Sequence, residues 1–327
     1  MIFLSYLIGL FGIGFLILIH EAGHFLFCKL FNIPAPKFAI GIGPTLFSKQ
    51  YKKTEYSIGL IPIMGYVQIG EENNNSDAHI LYQYPWIQGT LMTFGGIIFN
   101  LIFAYIAITS VIIWNSQYIL QTNLKSFIPQ KHIILEDKEK NQIILNYKTP
   151  IEVLQKIKKD EFTLEDHEGE KIIFENEKFF TNNFIIKYDS VYFPTTIFEK
   201  IILGITITNQ IIAQSAYGIL NLFNNGAHYN NISGPIGIMK QLSIAITKGL
   251  ADFFIFLSLV SISLAVINLV PIPMLDGGQF LFLTIYKIIG KGVPDLIQTI
   301  LTYGSLGLII LMTLFSTYND ILKVFFN

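Results

Sequence analysis

The sequence contains no arginine: all 22 of its basic residues are lysine. The planar guanidinium fork that grips phosphates and carboxylates in two places is therefore missing. With a formal net charge of -1 as well, the chain offers no footprint for nucleic acid. Cysteine is reduced to Cys28 alone, which excludes an intrachain disulfide framework. Charge of either sign is scarce, at 14% of 327 residues, against about 25% in a typical soluble domain. The hydrophobic share is 52%. The deficit of charge, more than the apolar excess, marks a membrane protein.

Four long runs carry no charged residue: 2–19, 86–114, 253–270 and 296–315. Each reaches the roughly 18–20 residues that a helix needs to cross a hydrocarbon core of about 30 Å. The first lacks a basic leading segment and a small-residue cleavage site, so it is expected to be a retained span and not a signal peptide. Trp86 and Trp114 bracket the second, as interface aromatics do. Lys29, Lys37, Lys49, Lys52 and Lys53 fall between runs one and two, and Lys287 and Lys291 fall near the start of run four. Positive loops stay inside, which places the N-terminus outside.

The expected fold class is a mainly α membrane protein: four transmembrane helices, a re-entrant β-hairpin and a small, mostly-β extracytoplasmic domain. The first transmembrane helix takes 1–30 and is followed by a cytoplasmic-side segment, 31–85. Within that segment, 58–70 is apolar but broken by Gly59, Pro62, Gly65 and Gly70, which suits a re-entrant β element held by protein or lining a cavity. The second transmembrane helix takes 86–115. Residues 116–197 turn charged and carry short β-type runs, as a small extracytoplasmic domain would. Residues 198–250 read as amphipathic or interfacial helices, because Thr206, Thr208, Asn209, Gln210, Gln214 and Ser215 interrupt the apolar stretch 201–223. The third transmembrane helix and the loop after it occupy 251–295. The fourth helix and the tail occupy 296–327.

Chemistry enters at the end of the first run. His20-Glu21-Ala22-Gly23-His24 has the HExxH pattern. On a helix, positions i and i+4 share a face, so both imidazoles can reach one ion while Glu21 stands beside them as a general base. A hydrolytic zinc needs three protein ligands and one open position. After the third run, Pro271 and Pro273 stop the helix and Asp276-Gly277-Gly278 follows. The two glycines permit backbone angles that other residues resist, and Asp276 is the carboxylate that would complete the set. An Asp-Gly pair is also ordinary turn chemistry; its pairing with HExxH is what favours a ligand. Parity decides whether the two can meet. With one crossing between them, the first and third spans end at the same depth. With 201–223 also spanning, Asp276 would emerge on the opposite side. Cys28, four residues beyond His24, shares the histidine face and reads as a packed apolar residue.

The HEAGH motif and the run Asn268-Leu269-Val270-Pro271-Ile272-Pro273-Met274-Leu275-Asp276-Gly277-Gly278 together resemble the signature motifs of the site-2 protease family of intramembrane zinc metalloproteases. Within that family the chain is similar to the bacterial regulator-of-sigma-E protease group, across about 1–115 and 200–325. The resemblance implies a multi-pass protein of the bacterial inner membrane, with Zn2+ bound by His20, His24 and Asp276 and with Glu21 as the general base. It implies that Asn268 and Asn100 position the substrate or stabilise the oxyanion. It also implies that 62–70, with Gly65 and Tyr66, receives substrate as an added strand. Partners would be the lipid bilayer and single-span membrane proteins of the anti-sigma-factor or signal-peptide-remnant type. Relatives carry PDZ domains in the outer segment; here there is room for a reduced PDZ-like domain at most. The alternative is a catalytically inactive, membrane-embedded binding or regulatory protein of the same fold.

Overall fold

The computed structural model describes residues 2–70, 81–114, 130–137, 142–145, 162–165, 171–174, 184–191, 196–224 and 234–325. The chain divides into two compact units, Met1–Val111 with Thr208–Asn327, and Ile112–Ile207.

The first unit begins with α1 (Ile2–Leu30), a run of apolar residues with no proline. Asn32 ends it in a left-handed conformation, φ 56°, and the Ile33 N–H reaches back to the Cys28 carbonyl at 2.8 Å. This is a helix end closed by its own backbone. Strands β1 (Lys37–Tyr51) and β2 (Thr54–Gln68) follow. They pair antiparallel, with Tyr51 opposite Thr54 at the turn. The opening residues of β1, 37–40, lie between two stretches of β2: 65–68 on one side and 55–58 on the other. The apolar stretch 58–70 is thus one arm of a larger hairpin. Its partner arm, 37–51, was not singled out in the sequence, because lysines and polar residues dilute its alternation.

Next come α2 (Trp86–Thr93) and α3 (Gly95–Trp114), where one continuous span was expected over 86–115. The chain breaks at Phe94 (φ -87°, ψ 3°). Immediately after the break it meets α1 backbone to backbone: a Cβ on Gly95 would lie 2.6 Å from the Gly23 carbonyl carbon. Farther along are α4 (Ile197–Asn224), α5 (Pro235–Lys248), α6 (Leu250–Asn268), α7 (Asp276–Ile289) and α8 (Asp295–Phe325). α7 occupies residues that read as loop in the sequence.

Among the described residues, four helical stretches are long and apolar enough to cross a membrane: Tyr6–Leu30, Gly95–Trp114, Leu250–Asn268 and Asp295–Ile321. α4 is not one of them. Among the described residues, buried clusters tie the helices of the first unit together. Leu16, Leu242 and Leu257 join α1, α5 and α6. Cys28, Ile33, Ala35, Leu81, Tyr82, Met92 and Leu283 join the end of α1 to α2 and α7.

The second unit contains strands β3 (Gln130–Asp137), β4 (Gln142–Leu145), β5 (Phe162–Glu165), β6 (Lys171–Phe174) and β7 (Phe184–Val191). β4, β3 and β7 form an antiparallel three-stranded sheet in that order, and β5 and β6 form a separate hairpin. α4 begins here with a capping box: the Glu199 N–H donates to Thr196 Oγ1 at 3.2 Å, and the Thr196 N–H donates to Glu199 Oε2 at 3.1 Å.

Candidate metal centre and active site

His20, Glu21 and His24 sit inside α1, well short of its C-terminal end at Leu30. One helical turn separates the two imidazoles, and their Nε2 atoms lie 3.2 Å apart. His24 Nδ1 is 2.8 Å from the Met92 carbonyl oxygen. A carbonyl can only accept, so the proton is on Nδ1 and the Nε2 lone pair faces the site.

Asp276 is the first residue of α7. The loop between α6 and α7 has to fold tightly to bring it there, and the double glycine makes this possible. A Cβ on Gly277 would lie 2.6 Å from the Val270 carbonyl oxygen, and one on Gly278 would lie 2.6 Å from Pro273 Cα. Neither glycine has a positive φ. Their role is close approach of backbone to backbone and not the unusual dihedral angles expected from the sequence. Gln279 braces the same loop, its Nε2 donating to the Pro273 carbonyl at 2.9 Å.

The result is a convergence of three ligand atoms. Asp276 Oδ2 is 3.4 Å from His20 Nε2, and Asp276 Oδ1 is 3.6 Å from His24 Nε2. Ligand atoms from all three residues fall within 4.8 Å of one another. Bonds of about 2.0–2.1 Å at tetrahedral angles would separate zinc ligands by roughly 3.3 Å, so the spacing fits that ion. Two further features agree. Among the described residues, Asp276 Oδ2 is buried with no hydrogen-bond donor, as a carboxylate suited to a cation would be. Gly96 keeps the space open: a Cβ there would come within 2.5 Å of Nε2 on both histidines.

Glu21 lies next to this set. The backbone of Val67 is hydrogen-bonded to its carboxylate. Gly65 packs against it so closely that a Cβ would meet Glu21 Cγ at 2.7 Å. Residues 65–68 pair with 37–40 along one edge only. The other edge has no partner strand among the described residues, so an unpaired strand edge runs past Glu21. Tyr66 does not join the ligands: neighbouring strand residues face opposite ways, and its hydroxyl hydrogen-bonds Lys37. Asn268, the last residue of α6, places its amide nitrogen 3.5 Å from His20 Nε2. Asn100 is fully buried and touches His20 from the other side, at Nδ1. Cys28 is fully buried in the apolar cluster.

Three contributors escaped the sequence reading: Gly23 and Gly96 as space-makers and the Met92 carbonyl as a histidine partner. A glycine in an otherwise apolar helix interior signals close backbone approach, and that signal was available for both glycines. No side chain marks a carbonyl.

The sequence profile of peptidase family M50 matches residues 8–312. Three relatives, each named "Putative zinc metalloprotease", align over nearly the whole chain. The Fusobacterium nucleatum protein is 30% identical over 98% of this chain and 100% of its own length. The Clostridium acetobutylicum protein is 30% identical over 90% and 91%, and the Synechocystis protein 27% identical over 99% and 97%.

Proposed function

The chain belongs to peptidase family M50, and on that premise we propose that it is an intramembrane zinc metalloendopeptidase that cuts the membrane-spanning segments of other proteins. His20, His24 and Asp276 are its zinc ligands and Glu21 is its general base. The observation that carries this reading is the convergence of the three ligand atoms within 4.8 Å, with Glu21 and an unpaired strand edge alongside. The names of the relatives support zinc as the ion.

Bound zinc supplies a Lewis acid for the scissile carbonyl and lowers the pKa of water to about 7. Glu21 takes the proton from the attacking water and passes it to the leaving amine, a role worth about 10²–10⁴ in rate. Its hydrogen bond to the Val67 backbone fixes where that carboxylate stands. The Asn268 amide, near His20 Nε2, is placed to donate to the oxygen on which charge develops.

A substrate helix hides its amides in its own hydrogen bonds and has to unwind before it is cut. The unwound segment would pair with the 65–68 edge as an added strand, which lays its backbone across Glu21. Gly65 and Tyr66 act here through their main chain. The hairpin then works as a re-entrant element of the bilayer, consistent with the exposed Leu46, Phe47, Ile58 and Leu60 on it. The meeting of Asp276 with HExxH supports a single return crossing by α3, with α4 interfacial; the lysines between the first two spans support the N-terminus outside, which makes the strands of 116–197 the extracytoplasmic domain. Substrates are single-span proteins of the bacterial inner membrane, of the anti-sigma-factor or signal-peptide-remnant type.

The test is a cleavage assay in proteoliposomes with a panel of single-span substrates, comparing the wild type with Glu21→Gln. The reading expects cleavage to fall by about 10²-fold or more while zinc content is unchanged. A Glu21→Gln protein that cuts like the wild type would exclude Glu21 as the base, and a zinc-loaded wild type that cuts none of them would favour a binding role.

A further inference from the structure

We propose that Asn100 is a positioning residue that sets the proton on His20, keeping its Nε2 free for the metal. The inference rests on the zinc reading above. Asn100 lies on α3, one turn beyond Gly96, and is fully buried. Its backbone carbonyl accepts a hydrogen bond from Ser261 Oγ on α6 at 2.9 Å, which fixes the residue in place. Its side-chain amide is 3.1 Å from His20 Nδ1, across the imidazole ring from Asp276.

An asparagine amide can meet Nδ1 in two ways. If its NH2 donates, Nδ1 carries the lone pair and the ring proton sits on Nε2, where it blocks coordination. If its oxygen accepts, the proton sits on Nδ1 and the Nε2 lone pair faces the carboxylate. A half-turn of the amide exchanges the two arrangements, because oxygen and nitrogen occupy nearly the same positions. With the NH2 toward His20, Asn100 Oδ1 is a buried acceptor with no donor, which is unfavourable. The half-turn pairs Oδ1 with a proton on His20 Nδ1 and leaves Nε2 without one.

His24 has the same requirement and meets it with the Met92 carbonyl, which can only accept. Both imidazoles thus have a partner at Nδ1, the Met92 carbonyl for His24 and the Asn100 side chain for His20, whose ring is also hydrogen-bonded to the Gly96 backbone. Metal-binding histidines generally need such a partner, and removing it typically weakens metal binding by about 10–100-fold. With no exposed surface, Asn100 acts through His20 and does not touch substrate.

The experiment uses the purified full-length chain and measures zinc affinity by chelator competition, together with the visible spectrum of the cobalt-substituted form. Asn100→Leu should weaken zinc by about 10–100-fold and change the cobalt spectrum. Asn100→Asp should keep both near wild type, because a carboxylate only accepts. Melting of the metal-free proteins checks folding. If Asn100→Leu does not fold, Asn100→Asp decides: retained tight zinc supports the inference, and a loss beyond about tenfold overturns it. Wild-type affinity in a folded Asn100→Leu protein, or a higher KM with unchanged affinity, would overturn it as well. A wild type that binds no zinc would instead overturn the metal site itself.

Discussion

His20 and His24 stand one turn apart on an unbroken helix, whereas Asp276 opens a helix that follows an irregular, proline-broken loop. The imidazole pair takes its spacing from helical pitch, which any intact α1 reproduces. The carboxylate takes its position from backbone packed on backbone, at Gly277 against Val270 and Gly278 against Pro273. One half of the centre is specified locally and the other only by tertiary contact. Substitutions should therefore affect the two halves differently.

The largest effect is expected where both halves meet. Gly96→Val places side-chain atoms on the Nε2 atoms of both histidines and should abolish zinc binding and cleavage together, read by metal analysis and by the proteoliposome assay. Full zinc occupancy in a folded Gly96→Val protein would show that the site lies elsewhere. A smaller effect is expected from the loop half alone. Gly277→Val should displace Asp276 while leaving α1 intact. A misplacement of about 1 Å can cost about 10²-fold in rate, so cleavage should fall by about that factor with the helix content of the protein unchanged. If cleavage were unaffected, the loop would not depend on close backbone packing as described.

That same asymmetry governs how much could be read from the sequence. HExxH carries its own geometry, so the imidazole pair and the position of Glu21 beside it were legible from spacing. Asp276 was legible because Pro271, Pro273 and the double glycine flag an irregular backbone and because HExxH lacks a third ligand. The helix that Asp276 begins was not legible, nor was the reason for the glycines. The long charge-free runs were legible as spans, but the break at Phe94 was not, since it follows from the Gly23–Gly95 contact between distant segments. The first arm of the hairpin, 37–51, was not legible because its lysines and polar residues dilute the alternation of a strand. Asn100 could be linked to the site from the sequence, but its contact with His20 Nδ1 could not.

The smallest effect is expected away from both halves. Asp320 on α8 is buried and accepts a hydrogen bond from the Gly237 N–H at 2.7 Å. It caps the first turn of α5, where Gly234 supplies no side chain. Asp320→Ala should remove about 1 kcal/mol of stability, the usual value of such a cap, and lower the melting temperature without changing zinc content. Loss of zinc in that variant would mean that α5 and α8 support the centre more directly than their contacts indicate.

The proposed centre holds one ion between two imidazoles and one distant carboxylate. Zinc per chain, measured on the purified wild type and on His20→Ala, His24→Ala and Asp276→Ala, tests this most directly. Such a three-ligand centre predicts about one zinc in the wild type and loss of that zinc in each variant. A folded wild type without zinc, or an Asp276→Ala protein that keeps all of it, would contradict it.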